Sequence, residues 1–376
     1  MNVTSLRWKH CRNLSGGSMR PSPEVNVIFG DNAQGKTNLL ELLWIFTGGR
    51  SFRGARDAEL IERGAQRAEA ELEFFAQGRA QSAQIVLSGG RRQCARNEIA
   101  CRSAAELVGG FCAVVFAPVH LSLVRDGPAE RRRFLDAAIC QTKPAYAQLL
   151  GRYQRTITQR NALLKELARR PSLRATLPEW TENAAQLAAR ITAARLRYLR
   201  RLQPAAGEIY AGISSGRERL ALRYERAGQP PEAPDAPAAA APPPTAAELL
   251  PALRAALEAA QPADIAAGFT TVGPHRDDFS LCINGLPART YGSQGQQRSA
   301  VLALKLGEAD VLCGALGEQP VILLDDVLSE LDAGRQDYLL NRLTGRQVFI
   351  TCCEPSPLLR PDRCIRMRSG ALVEEE

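Results

Sequence analysis

The stretch Gly30-Asp31-Asn32-Ala33-Gln34-Gly35-Lys36-Thr37 decides the fold, because it matches G-x-x-x-x-G-K-T, the pattern of a phosphate-binding loop. In such a loop the glycines let backbone N–H groups approach phosphates, the lysine neutralises the β and γ phosphates, and the threonine offers its hydroxyl to Mg²⁺. Val25 to Phe29 is typical of a buried strand, and Lys36 to about Phe46 is predicted to be a helix. This setting favours a true phosphate loop over a chance glycine turn.

A second motif lies almost the whole chain away, where the apolar run from Val321 to Leu324 ends in Asp325 and Asp326. Acids that follow a buried strand emerge at its carboxyl end. There Asp325 is predicted to hold Mg²⁺, and Asp326 to orient an attacking water. The alternative is a pair of solvated acids at a strand end. If both motifs contact one Mg-nucleotide, the two ends of the chain fold together and the middle leaves and returns.

A third motif, Tyr291-Gly292-Ser293-Gln294-Gly295-Gln296-Gln297-Arg298, precedes a helix predicted to run to about Leu316. A serine and a glycine at a helix N-terminus, with side-chain amides beside them, form a second surface suited to phosphate. A polar cap with a glycine turn is the alternative.

The middle of the chain is basic and helical. The 376 residues suggest two domains, and the formal net charge is +8. From Pro128 to Gln203 there are 16 Lys and Arg against 5 Asp and Glu. Prolines divide this alanine- and leucine-rich stretch into three or four predicted helices. The charge indicates a polyanionic partner without identifying it.

Less specific sequence patterns predict further strands, a turn and the domain boundaries. Leu220 to Tyr224 is predicted to be a strand that rejoins the sheet, and Asn284-Gly285 predicts a type I′ hairpin. Ala68 to Phe75 and Ser82 to Leu87 are predicted antiparallel strands of a mixed sheet. We predict three regions: a head from 1–127 and 213–376, a basic helical arm from 128–212, and a Pro/Ala-rich loop at 229–245 within the head.

Composition bears on the compartment. The ten cysteines form no C-x-x-C pair, which disfavours zinc and thioredoxin-like sites and favours reduced thiols in a cytosolic protein. The N-terminus has no apolar signal core, and no apolar stretch approaches the roughly 20 residues that cross a bilayer. We therefore expect a cytoplasmic protein without a membrane partner.

Taken together, the motifs resemble the ABC-type ATPase heads of transporters and chromosome-organising proteins and, more narrowly, the RecF family of bacterial recombination mediators. The segments that carry the resemblance stand in the family's order over nearly the full chain; they are Gly30 to Asn38, Gly127 to Asp136, Gly273 to Asp278, Tyr291 to Arg298 and Leu323 to Asp332. The implied fold class is α/β, an ABC-type P-loop ATPase head with a mixed β-sheet and helices, plus an inserted helical arm.

The resemblance also implies site residues. ATP and Mg²⁺ are expected between two copies of the chain, with catalytic roles for Lys36, Asp325 and Asp326, and with Thr37 and Asp325 at the metal. The residues expected to bind ATP are Gly30, Asp31, Asn32, Ala33, Gln34, Gly35, Lys36, Thr37 and Asn38. The second copy would supply Ser293, Gly295 and Gln296, and Asp332 would lie at the dimer seam.

The implied activity is a weak, DNA-stimulated ATPase that acts as a switch. The ATP-bound homodimer is expected to clamp DNA at gaps and single/double-strand junctions. With RecO and RecR proteins it would help to load RecA, and slow hydrolysis would reset it. Arg131, Arg132 and Arg133 either belong to the surface that binds DNA, here called the DNA track, or form a solvated helix face. A chromosome-organising or nuclease-partner ATPase is the alternative. A transporter subunit, a kinase and a GTPase fit the basic arm or the third motif poorly.

Some positions depart from the family pattern or have no clear role. Cys352 and Cys353 follow the last core strand where ABC heads commonly place a histidine, which puts sensing of the γ-phosphate in doubt. His120 stands in a segment where the family often has acids. Asp326 is shorter than the glutamate of fast ABC ATPases, which fits weak turnover. His275 and Arg276 are either a structural pair or lie near nucleotide or DNA.

Overall fold

The computed structural model describes residues 1–167, 169–228, 242–355 and 359–373, with the backbone alone at Glu330. Most of the predicted Pro/Ala-rich loop, residues 229–241, therefore lies outside the described residues. Residues 242–245 lead into a helix that Thr245 caps, since its side chain accepts from the backbone N–H of Glu248 while the Glu248 carboxylate accepts in return.

The strands of the described residues are numbered in chain order. They are β1 (Asn2–Cys11), β2 (Leu14–Met19), β3 (Val25–Phe29), β4 (Arg67–Ala76), β5 (Arg79–Ser88), β6 (Arg91–Arg96), β7 (Ile99–Ala100), β8 (Ala113–Phe116), β9 (Leu220–Glu225), β10 (Asp278–Ile283), β11 (Leu286–Pro287), β12 (Val321–Asp325), β13 (Val348–Cys352), β14 (Arg363–Arg368) and β15 (Ala371–Val373).

The α-helices follow the same convention. They are α1 (Lys36–Ile45), α2 (Ser122–Arg125), α3 (Pro128–Thr142), α4 (Ala145–Glu166), α5 (Leu177–Ile213), α6 (Ala246–Ala259), α7 (Gln261–Ala267), α8 (Ala288–Tyr291), α9 (Gln294–Leu316) and α10 (Ala333–Arg342). None of the described helices is long and apolar enough to cross a membrane.

The chain divides into two compact units. The first contains residues 1–120, 212–215 and 302–376, and the second contains residues 121–211 and 216–301. This division differs from the predicted domain boundaries, because 216–301 groups with the helical segment and not with the head. The predicted division into a head at 1–127 and 213–376 and an arm at 128–212 stays a prediction.

The first unit is built on two sheets. One is antiparallel, in the order β2-β1-β4-β5-β6-β7, and the other has the order β15-β14-β3-β13-β12-β8. In the second sheet β14, β3, β13, β12 and β8 run parallel, and only β15 is antiparallel. One core of buried side chains joins both sheets to α1; its members include Leu6, Leu72, Leu39, Ile28, Leu323 and Phe349. Parallel strands are buried on both faces, so β12 and β13 read as continuous apolar runs.

The second unit is mainly helical, with the small antiparallel sheet β11-β10-β9. Its interior contains ion pairs as well as apolar side chains. Arg160 on α4 and Asp264 on α7 are both fully buried, with Nη1 2.6 Å from Oδ2, and Arg195 on α5 binds Asp136 on α3. Each arginine makes further hydrogen bonds, to Thr270 from Arg160 and to Pro274 O from Arg195, as buried charges require.

The structure confirms the predicted α/β class and the meeting of the two chain ends in one sheet, where β3 and β12 both pair with β13. Asn284 and Gly285 form the predicted hairpin turn, with positive φ at both residues. One prediction is wrong. β9 does not rejoin the head sheet, because its backbone pairs along its whole length with β10. The antiparallel strands β4 and β5 likewise form a sheet separate from the parallel one.

Candidate functional site

The carboxyl edge of the parallel sheet gathers the candidate site. β3, β13 and β12 are neighbours and run parallel, so the residues that end them meet at one edge. Thr37 Oγ1 donates to Asp325 Oδ1 at 2.8 Å, and Thr351 Oγ1 at the end of β13 donates to the same oxygen at 2.8 Å. Residues 288 positions apart in the chain, Thr37 and Asp325, are thereby in direct contact.

The phosphate loop between β3 and α1 has a backbone that depends on glycine. Gly30 has φ +146° and Gly35 has φ +108°. A Cβ at Gly30 would lie 2.3 Å from Met367 O, and one at Gly35 would lie 2.8 Å from Asn13 Oδ1. Ala33 also has a positive φ, of 64°. A side chain at Gly30 would therefore clash with fixed backbone, one at Gly35 would displace the Asn13 side chain, and both would strain the loop.

Lys36 begins α1 and folds back over its own loop. Its Nζ donates to Gly30 O at 2.5 Å and to Asp31 O at 2.8 Å, and the residue is only 9% exposed. The loop thus holds an ammonium group at the N-terminus of α1, where unpaired N–H groups and the helix dipole also favour an anion. The ammonium and the N–H groups together form a cradle that matches phosphate.

Asp325 and Thr37 offer oxygen donors suited to Mg²⁺, which prefers carboxylate and hydroxyl ligands. Burial raises the pKa of Asp325, and the nearby charge of Asp326 also raises it. The hydrogen bonds from Thr37 and Thr351 lower this pKa, but the net shift is upward. A buried carboxylate with a raised pKa gains from a cation beside it. These residues therefore fit the metal of a bound Mg-nucleotide.

Asp326 leaves the strand in an unusual backbone conformation, with φ +50°. Its N–H donates to Thr351 Oγ1 at 3.0 Å, and its Oδ1 accepts from Ser329 Oγ at 3.0 Å. Left-handed backbone is tolerated by aspartate more readily than by most residues. The strand end and the serine therefore hold the Asp326 carboxylate in a defined position beside Asp325.

Sequence reasoning missed Thr351. This threonine contacts both acids, since its hydroxyl donates to Asp325 and accepts from the backbone of Asp326. The signal that would have found it is a hydroxyl residue near the end of the apolar run Val348–Cys352, in a strand adjacent to the one that carries the acids.

The two cysteines that follow lie beside the phosphate loop. Cys353 O accepts from the N–H of Gly30 at 3.3 Å, and Cys353 Sγ donates to Asn32 Oδ1 at 3.3 Å. Burial raises the pKa of Cys352 to about 11. Cys353 thus contacts the loop through both its carbonyl and its thiol, and neither position carries the histidine that ABC heads commonly have.

Sequence reasoning also missed a buried carboxylate on the helix that follows the phosphate loop. Glu41 on α1 is 2% exposed and accepts from Arg12 at 2.7 Å, from Arg53 at 2.5 Å and from Ser51. Arg53 also donates to Asn38 Oδ1. Although burial opposes ionisation, the hydrogen bonds from Arg53, Ser51 and Arg12 lower the pKa of Glu41. The result is a charged cluster that fixes the first turns of α1.

The third motif lies in the second unit, at the start of α9. Ser293 N donates to Gln296 Oε1 at 2.8 Å, and Gln296 N donates to Ser293 Oγ at 3.2 Å, which is a reciprocal helix cap. Ser293 is exposed and Gly295 partly so. Asp332, in the first unit, is also a cap, since its Oδ1 accepts from Arg335 N at 3.0 Å. Ser293, Gln296 and Asp332 thus each make a helix-capping hydrogen bond.

The three consecutive arginines have different environments. Arg131 is 6% exposed; it binds both oxygens of Asp278, at 2.7 and 2.8 Å, and donates to two backbone carbonyls. Arg132 donates to Asp277 O, and Arg133 is exposed beside Glu130. Arg131 therefore cannot serve the predicted DNA track, because its guanidinium is buried in packing α3 against β10.

Exposed positive charge lies elsewhere in the second unit. The Arg195–Asp136 pair aligns α5 with α3, and seven residues after Asp136 comes Lys143, near Arg197 and Arg201. All three are exposed, and none forms an ion pair with a described residue. Partial removal of Lys143 from water lowers its pKa, and the positive charges of Arg197 and Arg201 lower this pKa further. We call Lys143, Arg197 and Arg201 the basic patch.

His275 and Arg276 have separate roles. A carbonyl can only accept, so His275 Nε2 donates to Thr270 O at 3.1 Å, which leaves Nδ1 to accept from Tyr153 Oη at 2.8 Å. Burial lowers the pKa of His275, in keeping with this neutral form. Arg276 is exposed and lies over the Phe269 ring, 5.0 Å from its centroid. Both ring nitrogens of His275 are thus engaged in hydrogen bonds within the second unit.

Known proteins are similar to the chain over 93% to 100% of its length. No protein-family model matches it. The DNA replication and repair protein RecF of Heliobacterium modesticaldum is 41% identical over 358 residues, covering 93% of this chain and 92% of the relative. RecF of Syntrophotalea carbinolica is 39% identical, covering 100% and 99%. RecF of Bacillus subtilis is 37% identical and covers 100% of both chains.

Solved structures agree. A structure of the recombination mediator protein RecF with ATP, in the RecFOR pathway, matches with a TM-score of 0.90 at 31% identity, covering 100% of this chain and 98% of the other. The Smc head domain from Pyrococcus furiosus matches with a TM-score of 0.55 at 16% identity, covering 99% and 95%, which shows a shared fold alone. The fold is that of an ABC-type ATPase head, and the chain belongs to the RecF family of DNA replication and repair proteins.

Proposed function

We propose that the chain is a cytoplasmic, ATP-dependent DNA-binding recombination mediator that uses weak ATP hydrolysis as a switch. The observation that carries the proposal is the contact of Thr37 and Asp325 at the mouth of a glycine-dependent phosphate loop. The sheet brings two motifs from opposite ends of the chain together, and they supply a phosphate cradle and metal-binding oxygens at one place, as a single Mg-nucleotide requires. The solved RecF structure with ATP supports the same reading.

The loop residues Gly30 to Asn38 would bind the phosphates of ATP. Lys36 Nζ exchanges its bonds to Gly30 O and Asp31 O for phosphate oxygens, and the N–H groups at the start of α1 point at the same anion. Thr37 and Asp325 would hold Mg²⁺, which supplies charge to neutralise the β and γ phosphates.

Asp326 would orient the water that attacks the γ-phosphate. Its carboxylate is held by Ser329, and its backbone by Thr351. An aspartate reaches about one carbon–carbon bond less far than a glutamate, so the water is held less closely and turnover is slow. Slow turnover suits a switch, because the ATP-bound state then lasts long enough to act on DNA.

A second copy of the chain would complete the site. Ser293, Gly295 and Gln296 present a capped, exposed helix start, which is suited to a phosphate that another molecule carries. Asp332, with 62% of its side chain exposed, would lie at the seam between the copies. ATP would then hold two heads together, and hydrolysis would release them.

The dimer would clamp DNA at gaps and single/double-strand junctions and, with RecO and RecR, help to load RecA. The exposed basic patch of the second unit supports a DNA contact through phosphates, which carries little sequence preference. Arg132 and Arg133 remain candidates for the same track. The solved RecF structures are described as belonging to the RecFOR pathway, which supports RecO and RecR as partners.

Two measurements test the proposal. Sedimentation velocity with and without Mg-ATP is expected to show a monomer that becomes a dimer only with nucleotide. The ATPase rate is expected to rise when gapped duplex DNA is added, and to rise less with blunt duplex of equal length. A protein that stays monomeric with saturating ATP, and whose ATPase ignores DNA, would contradict the switch.

A further inference from the structure

We infer that the C-terminal hairpin of β14 and β15 is a positioning element for the phosphate loop, which sets the backbone of Gly30 to Gly35 before any nucleotide arrives. Its turn, Ser369-Gly370, touches the loop although it lies more than 330 residues away in the chain. The inference deepens the proposed function, since it concerns how the proposed nucleotide site is shaped.

The hairpin turn supplies two backbone donors to one loop residue. Gly370 N donates to Gln34 O at 2.9 Å, and Ser369 N donates to Gln34 Oε1. Gln34 is therefore held by both its main chain and its side chain. Gln34 immediately precedes Gly35 and Lys36, so its position decides where the loop enters α1.

The strand before the turn holds the start of the loop. Gly30 packs so closely on β14 that an added Cβ would lie 2.3 Å from Met367 O. The backbone N–H of Gly30 is also occupied, by Cys353 O. The two ends of the loop, Gly30 and Gln34, thus both rest on the same hairpin.

The hairpin turn is also closely packed on its other side. A Cβ at Gly370 would lie 1.9 Å from Asn13 O, in the turn between β1 and β2. Asn13 in turn donates to Ala33 O at 3.4 Å and accepts from Asn38 at 2.6 Å. The loop is therefore enclosed between the turn at Asn13 and the turn at Gly370.

This enclosure explains how a short loop keeps an unfavourable shape. Gly30, Ala33 and Gly35 all have positive φ, and Ala33 has no glycine freedom to ease it. A loop ordered in advance loses less conformational entropy when phosphate binds, so preorganisation raises affinity. The hairpin contacts no phosphate in this role; it acts through Gln34 and Gly30.

Gly370→Ala tests the inference, and Gly78→Ala is its matched control. Gly78 follows Gln77 in the turn between β4 and β5, with φ 53° and 73°, as Gly370 follows Ser369, with φ 49° and 78°. The backbone strain of the two substitutions is therefore equal, but a Cβ at Gly78 meets no atom within 4 Å. Any difference between the variants therefore comes from the displacement of the Ser369-Gly370 turn by the backbone of Asn13.

Hydrogen exchange of nucleotide-free protein is the first readout. Peptides covering Gly30 to Asn38 are expected to exchange about tenfold faster in Gly370→Ala and at the wild-type rate in Gly78→Ala. Equal exchange in the two variants would overturn the inference. This readout needs no ATP, so it remains valid even if the wild-type protein fails to bind ATP and the proposed function falls.

Nucleotide affinity is the second readout. By titration calorimetry, the Kd for Mg-ATP is expected to rise about tenfold in Gly370→Ala and to stay unchanged in Gly78→Ala. If Gly370→Ala does not fold, Gln34→Leu replaces it, because it removes the acceptor of Ser369 N while keeping the side-chain bulk. Loop exchange and Kd both unchanged in Gln34→Leu would then overturn the inference.

Discussion

Thr351 donates its hydroxyl hydrogen to Asp325 and accepts from the backbone N–H of Asp326, so one side chain from β13 holds both acids at the end of β12. Because the strands are neighbours in a parallel sheet, this bond fixes the acids relative to the phosphate loop that follows β3. Thr351 is thus a positioning residue for two carboxylates. In the proposed hydrolysis, Asp325 holds the metal and Asp326 orients the attacking water.

Replacing Thr351 by valine is expected to lower kcat for ATP about tenfold with little change in ATP affinity, since the acids lose their alignment but Lys36 and the loop remain. Valine keeps the shape, and the lost hydrogen bonds cost about 1 kcal/mol of unfolding free energy. Steady-state ATPase assays and urea unfolding measure both. Thr351→Ser is the control, because it keeps the hydroxyl; a serine variant as slow as the valine variant would refute the positioning role.

Lys36→Ala is expected to abolish measurable ATP binding and ATP-driven dimerisation, because the phosphates lose the cation that the loop holds. Calorimetry and sedimentation velocity with Mg-ATP are the measurements. Lys9→Ala removes an exposed lysine of β1 and is expected to behave as the wild type. A Lys36→Ala protein that still dimerises with ATP would mean that nucleotide does not bind through this loop.

Glu41→Gln is expected to destabilise the protein by about 2 kcal/mol at pH 7, since Arg12 and Arg53 lose a charged acceptor. The pKa of Glu41 lies below its ordinary value of 4.5. The stabilisation is therefore complete above pH 4.5 and is lost as the pH falls through the lower, folded-state pKa.

Urea unfolding at pH 7 and in acid checks this prediction. The difference in unfolding free energy between wild type and Glu41→Gln is expected to be smaller in acid than at pH 7. The control is Glu71→Gln, an exposed partner of Arg7, which is expected to cost at most about 1 kcal/mol at pH 7. A Glu41→Gln difference that stays constant with pH would show that the carboxylate charge is not the stabilising feature.

Substitutions of basic residues in the second unit are expected to affect stability differently, according to whether the side chain is buried or exposed. Arg131→Ala leaves Asp278 without its partner and is expected to destabilise the unit by about 3 kcal/mol. Replacing Lys143, Arg197 and Arg201 together by alanine is expected to leave stability unchanged.

The same triple variant is expected to weaken DNA binding and to reduce the slope of log K against log salt by up to ~0.9 per lost phosphate contact. Fluorescence anisotropy with gapped duplex over a salt series measures the slope. Arg63→Ala, an exposed arginine of the first unit, is the control. An unaltered slope in the triple variant would move the DNA contact away from the basic patch.

By itself, the order of residues determined the α/β class, the phosphate loop, the acids after a buried strand and the hairpin at Asn284-Gly285. Each of these is local: a glycine pattern, an apolar run or a turn pair specifies its own backbone. Only the tertiary structure decided the partners of those residues. Arg131 is buried against Asp278, Thr351 lies between two acids, and β9 pairs with β10 and not with a strand of the parallel sheet.

The physical reason is that burial and pairing depend on which strands and helices become neighbours. An arginine in a basic run looks the same in sequence whether it faces solvent or a carboxylate 147 residues later. Likewise, nothing near Ser369 and Gly370 indicates that they hold Gln34, because that contact exists only once β14 has paired with β3.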